Sequence, residues 1–195
     1  FALHITKDQP LPEVVVGVRE RLAADGSVIE SLDKKGLEQT LTEMRRRGVR
    51  CASITLLHGH RNPVHEIELE KVLVEAGFEY IARSSVLSPF QGLLRRSETC
   101  AVDAYLGPVI NDYLRAVEQG LSADGSGIHV MTSAGGLASS DAYRSMDSLL
   151  SGPAGGVVGA ALVGRPSAPW QRAHCWLYSC SPDIGCSGPA ALEQA

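Results

Sequence analysis

Residues 49–84, VRCASITLLHGHRNPVHEIELEKVLVEAGFEYIARS, set the architecture. Val49 to Leu57 is an apolar run suited to a buried strand. Asn62-Pro63 then opens a helix: Asn62 caps it and Pro63 takes the first turn, where its missing N–H costs nothing. Leu69, Val72, Leu73 and Ala76 follow the spacing of one buried helical face, and Gly77 ends it. Phe78 to Ser84 reads as a second strand. Strand, helix and strand in this order predict an α/β layer whose sheet is at least partly parallel.

Upstream, Glu13 to Arg19 is valine-rich and reads as β structure, with a turn at Ala24-Asp25-Gly26-Ser27 before a short run from Val28 to Leu32. Asp33 is an N-cap for a helix carrying Leu37, Leu41 and Met44, which Gly48 stops. Downstream, Thr99 to Gln119 predicts a long helix. Its stripe is Val102, Leu106, Val109, Ile110, Tyr113, Leu114 and Val117, and Pro108 should kink or split it. Ile128 to Thr132 reads as a strand feeding the turn Ser133-Ala134-Gly135-Gly136. Asp141 to Met146 suggests a short helix and Ser148 to Leu150 a strand, after which Ser151-Gly152-Pro153 opens a helix to about Val163. Beyond Gly164 both tryptophans, three of the five cysteines and four prolines crowd together without periodicity. An irregular, disordered tail over 165–195 is expected there.

The 195 residues suffice for one good core or two small ones. A 44% apolar and 21% charged composition is that of an ordinary soluble protein. A net charge of -4 argues against a nucleic-acid footprint. The one tight basic run, Arg45-Arg46-Arg47, falls at a helix end, where cations favour the dipole. No apolar stretch approaches the roughly 20 residues of a membrane span, and no signal peptide opens the chain. Cys51 and Cys100 read as buried thiols, suited to a reducing cytoplasm.

Ser151 to Ala160 is the first segment with chemical potential. A Ser-Gly-Pro turn into a helix presents free N–H groups at the positive end of the dipole, a site for phosphate or carboxylate. Ser151, Gly152, Gly155 and Gly156 are the candidate cofactor-binding residues; close helix–sheet packing explains the same glycines. Ser133, Gly135 and Gly136, at a strand's end, are candidates on the substrate side. Asp103 is another, or else it bonds a neighbouring group within the fold. His58, His60 and His65 cluster at a strand–helix connection, where two histidines one residue apart can share a metal, but no cysteine or carboxylate pair completes a set. His174, Cys175, Cys180 and Cys186 in the tail match no standard zinc spacing. No metal site is assigned.

Several ordered motifs resemble the hydantoinase A/5-oxoprolinase family. The clearest is Leu149-Leu150-Ser151-Gly152-Pro153-Ala154-Gly155-Gly156-Val157-Val158-Gly159-Ala160. Three others fall in the family's order: Leu56-Leu57-His58 with Asn62-Pro63-Val64-His65-Glu66; the stretch from Arg95 to Pro108; and Val130 to Leu137. The resemblance spans Phe1 to Gly164. It implies part of an acetate-kinase/actin-like ATPase fold, with residues 1–85 ending the N-terminal hydantoinase/oxoprolinase domain and 86–164 beginning the hydantoinase A domain.

It also implies an ATP- and Mg-dependent hydrolase that opens five-membered cyclic amides, 5-oxoproline or hydantoins, by phosphorylating the carbonyl oxygen before hydrolysis. A hydantoinase B-type subunit or domain is an implied partner. A non-catalytic remnant or assembly subunit, and a piece of a ketone carboxylase, are the alternatives. The family's Asp-x-Gly-Gly-Thr phosphate loop is expected upstream of Phe1, which is not a Met, and a second one after Gly164, where Arg165-Pro166-Ser167 stands instead. A frameshift, a misassigned frame or a truncation would produce that edge, and the isolated chain is expected to be inactive.

Overall fold

A computed structural model describes residues 10–121 and 127–164. They divide at Tyr113/Leu114 into two compact units. The expectations for residues 165–195, tail cysteines included, lie outside the described residues.

In the first unit, β1 (Arg21–Leu22) and β2 (Val28–Glu30) form an antiparallel hairpin whose turn passes through Gly26 at φ 92°. The strand expected over Glu13–Arg19 does not form. Val15 and Val16 face solvent and only Val18 packs on the core, so the valines have no partner to pair with there. Helix α1 (Lys34–Arg46) begins at Asp33, whose Oδ1 accepts from the Gly36 N–H at 3.0 Å, and Gly48 follows it at φ 84°. Arg45 and Arg46 close its last turn, and the Arg45 guanidinium lies over the Phe78 ring.

Next come β3 (Cys51–Ile54), α2 (Val64–Glu75) and β4 (Tyr80–Arg83). The two strands are parallel, Cys51 opposite Tyr80 and Ile54 opposite Arg83. Asn62 Oδ1 accepts from the Val64 N–H at 3.1 Å, and Pro63 occupies the capping position, so the helix begins one residue later than expected. One core gathers Leu37, Leu41, Ile54, Leu56, Leu69, Leu73 and Phe78, with Ala52 and Ile81 of the strands packed on it. A second, smaller cluster joins Ala82 of β4 to Cys100 and Ala104.

After the single turn α3 (Ser84–Leu87), helix α4 (Leu93–Leu121) runs through Pro108 without a break. The expected split does not occur, and the expected stripe is packed in part: Leu114 is buried and Val102, Leu106, Ile110 and Val117 are half-buried. Val109 and Tyr113 are exposed, whereas Arg96, Cys100, Asp103 and Ala104 are buried. Small side chains on that face let α4 lie close against β4: at Gly107 an added Cβ would fall inside the Tyr80 ring.

In the second unit, β5 (His129–Met131) and β6 (Leu137–Ser139) are antiparallel, Met131 opposite Leu137. The helix expected at Asp141–Met146 is instead two 3-10 turns, Ser140–Ala142 and Ser145–Ser148. The strand expected at Ser148–Leu150 is absent. The Ser148 hydroxyl donates to the Ser145 carbonyl at 2.7 Å, which keeps the chain coiled into α5 (Ser151–Gly164). No described helix is long and apolar enough to cross a membrane.

Candidate functional site

The parallel register ends β3 and β4 together, so Thr55 to Leu57 leave one strand beside Ser84 and Ser85 leaving the other. Glu66, in the first turn of α2, reaches this edge. Its Oε1 accepts from the Leu56 N–H at 3.0 Å and the Ser84 hydroxyl at 2.7 Å, and its Oε2 from the Ser85 N–H at 2.8 Å. Arg96 of α4 completes the network. Its Nη1 donates to Ser84 Oγ at 2.8 Å, and its Nη2 to the Leu56 and Leu57 carbonyls at 2.6 and 2.9 Å. Arg96 Nη1 and Glu66 Oε1 stand 3.6 Å apart, with the two residues 1% and 0% exposed. Gly59 is held against this carboxylate, into which a Cβ would run.

A buried ion pair adds little net stability, because desolvation offsets the attraction, but losing one partner strands the other charge. Here it locks α2, α4 and both strand ends in one geometry. Sequence reasoning did not single out these residues. The signal was a charge on an apolar stripe: Glu66 lies on the face of Leu69 and Leu73, three and seven residues on, and Arg96 on the face of Cys100 and Ala104.

Around the network lie further polar groups. The His58 and His60 rings are 6.2 Å apart between centroids. Burial, then the nearby Arg96 charge, holds His60 below its usual 6.5. Cys100 donates to the Ala82 carbonyl at 3.1 Å, and burial pushes its thiol up to about 12. His65 is engaged elsewhere, its Nδ1 lying 2.6 Å from Glu20 Oε2, which ties the segment before β1 to α2. Among the described residues no three His, Cys, Asp or Glu stand together as a metal set. Asp103 is buried, and its Oδ2 accepts from the Tyr80 hydroxyl at 2.8 Å, a bond within the fold.

In the second unit, Ser133, Gly135 and Gly136 sit in the hairpin turn between β5 and β6. The Ser133 N–H donates to the Asp147 carbonyl at 2.9 Å, and Gly136 O accepts from the Thr132 N–H at 2.8 Å. Gly135 adopts φ 81°, with Val158 3.3 Å from where its Cβ would be. The glycines of α5 divide in role. Gly155 faces Met131 of β5, with 3.5 Å from an ideal Cβ to Cγ, whereas Gly152 has open space and Gly156 is exposed. Ser151 Oγ donates to the Ser148 carbonyl at 2.9 Å. The first turn of α5 thus leaves room for an anion while its middle packs on the hairpin.

The family described as Hydantoinase/oxoprolinase matches residues 96–168, and its N-terminal region matches residues 1–77. The chain is 34% identical over 180 residues to 5-oxoprolinase 1 of Arabidopsis thaliana, covering 82% of this chain and 14% of that protein. It is 30% identical over 169 residues to the acetophenone carboxylase gamma subunit of Aromatoleum aromaticum, covering 80% and 23%. Its fold resembles the crystal structure of an ATP-dependent caprolactamase from Pseudomonas jessenii, with a TM-score of 0.70 at 24% identity, over 84% of this chain and 25% of that one. The chain therefore spans a small part of the length of the relatives it matches. With both family regions matched in order over most of its length, the chain belongs to the hydantoinase/oxoprolinase family.

Proposed function

We propose that this chain is a segment of an ATP-dependent enzyme that opens five-membered cyclic amides such as 5-oxoproline or a hydantoin. The observation that carries this reading is the 34% identity to a 5-oxoprolinase across most of the chain. In this reading residues 1–85 end an N-terminal domain and residues 86–164 begin the hydantoinase A domain of an acetate-kinase/actin-like ATPase. ATP would supply the phosphoryl group that makes the amide oxygen a good leaving group.

The residues of α5 fit a phosphate in one respect: the turn at Ser151 and Gly152 is open, and its N–H groups lie at the positive end of a 14-residue helix. Arg144 is the one basic residue between 140 and 164, so backbone donors would carry most of the attraction. No carboxylate is assigned to Mg. Ser133, Gly135 and Gly136 shape the hairpin against which α5 rests, and a hydantoinase B-type partner belongs to the same reading.

The test is a segment exchange. Residues 10–164 replace the matching segment of the Arabidopsis 5-oxoprolinase, and ATP-dependent release of glutamate from 5-oxoproline is measured. Turnover within tenfold of the parent supports the reading; a folded chimera without turnover overturns it. The 30% identity to a carboxylase subunit favours a second reading, a ketone carboxylase segment. A chimera of that subunit which carboxylates acetophenone, beside an inactive oxoprolinase chimera, would select it. The 195-residue chain alone should turn over neither substrate, because its sequence holds no Asp-x-Gly-Gly-Thr loop.

A further inference from the structure

Residues 13–19, Glu-Val-Val-Val-Gly-Val-Arg, have the composition of a strand, yet no described strand lies beside them. From Val14 to Glu20 the chain runs without a turn or bend, and its exposure alternates. Glu13, Val15, Gly17 and Arg19 face solvent, whereas Val14 and Val18 are half-buried and Val18 packs on the core. That alternation is strand geometry. One edge of the segment is taken: the Arg19 carbonyl accepts from the Asp33 N–H at 3.0 Å. Successive residues of an extended chain turn their N–H and C=O to opposite edges, so Val14, Val16 and Val18 present theirs on the side away from Asp33. No backbone group of the described residues bonds to them there. An open edge of this kind is a template for another strand.

Charge complementarity selects the strand that fits. Laid antiparallel against a copy of itself with Val16 on the two-fold axis, the segment sets Glu13 opposite Arg19, Val14 opposite Val18 and Val15 opposite Gly17, each pair occurring on both sides of the axis. Opposite residues then share a face, and the ladder falls on Val14, Val16 and Val18, the open edge. Moving the axis by one residue would use the edge that Asp33 occupies. Moving it by two would shorten the ladder and part the charges. Both charges are free to serve: Arg19 has no ion pair among the described residues, and Glu13, with 78% of its side chain exposed, meets Arg47 only at 3.5 Å. Such an exposed contact is worth little. The Val15 and Val16 side chains, 81% and 38% exposed, would gain cover.

We propose that residues 13–19 join two copies of this chain through an antiparallel, two-fold symmetric strand pair centred on Val16. Seven residues a side is small beside the roughly 800 Å² per partner of a standard interface, so the pair is reversible and concentration-dependent. The test is sedimentation of the 195-residue chain from about 10 µM to about 1 mM, where a weak dimer forms. Glu13→Arg and Arg19→Glu should each weaken dimerisation about tenfold by setting like charges opposite each other, and the double variant should restore it to within about threefold. A role of Glu13 towards Arg47 within one chain gives no such rescue. Both substituted side chains are exposed, so amide spectra outside residues 13–19 should stay unchanged and serve as the fold control. At the high concentration, hydrogen exchange should slow at Val14, Val16 and Val18 relative to Val15 and Gly17. A monomer throughout, a dimer indifferent to the single variants, or single losses that the double variant does not repair would each overturn the pairing. A monomer with Val14, Val16 and Val18 already protected would overturn it too, since residues 1–9 of the same chain would then hold the edge.

Discussion

The Glu66–Arg96 pair makes the sharpest energetic claim. Glu66→Gln keeps the shape of the side chain and leaves Oε1 to accept from Leu56 N–H and Ser84 Oγ. At the Oε2 position, however, an amide NH2 would face the Ser85 N–H, donor against donor, in place of the 2.8 Å bond seen now. Losing a hydrogen bond to a charged acceptor costs about 1.5–3 kcal/mol. Arg96 also loses its counter-charge at 3.6 Å, an attraction of order 4 kcal/mol at an effective dielectric of about 20. The three oxygens that still accept from Arg96 offset part of this. A net loss of about 3–5 kcal/mol is expected, the range for breaking a buried pair.

Arg96→Met should cost a similar amount, because it strands Glu66. The double variant holds no lone charge, so its loss should fall short of the sum of the two by at least about 2 kcal/mol. Urea unfolding is followed on amide signals of α2 and β3, which report the first unit alone. Losses that add to within about 0.5 kcal/mol would show that the two groups do not depend on each other, and the lock described here would be wrong.

Three further outcomes follow from single positions. Gly107→Ala should gain about 1 kcal/mol of helix propensity, yet lose more from the collision with the Tyr80 ring, for a net loss of about 1–3 kcal/mol; a more stable variant in thermal melts would mean that α4 does not lie so close to β4. Asp33→Ala should cost about 1 kcal/mol by removing the cap on Gly36 N–H, and an unchanged urea midpoint would refute that cap. His60 should titrate below 6.5 by NMR, further below in Glu66→Gln and less far in Arg96→Met. Between the folded and unfolded values the unfolded chain holds more protons, so His60 leaves stability intact above 6.5 and takes some away as pH falls through its folded value. A His60 titration above 6.5 would contradict the burial assigned to it.

Local signals in the sequence were enough for much of the fold. Asp33, Gly48 and Gly77 mark helix ends because caps and left-handed stops depend on the residue itself. The β3–α2–β4 unit was legible because its apolar spacing changes period from strand to helix and back. Misreadings came where partners at a distance decide. Glu13–Arg19 has strand composition but no neighbouring strand, and in α4 two large residues of the expected stripe, Val109 and Tyr113, are exposed while the smaller Cys100 and Ala104 are buried. The ion pair was hidden for the same reason: neither Glu66 nor Arg96 is unusual alone, and only the fold brings together residues 30 positions apart in sequence. Asp103 and the α5 glycines were visible as positions, but their partners, Tyr80 and Met131, were not.

The Cys100 thiol, enclosed between α4 and the ends of both strands, gives the first unit its own chemical clock. Its proton is held by the Ala82 carbonyl and its pKa lies near about 12, so almost no thiolate exists at pH 8 while the helix stays seated. Alkylation there must wait for α4 to lift from the sheet. Its rate, measured against that of the partly exposed Cys51, therefore counts how often the helix opens, without any engineered label.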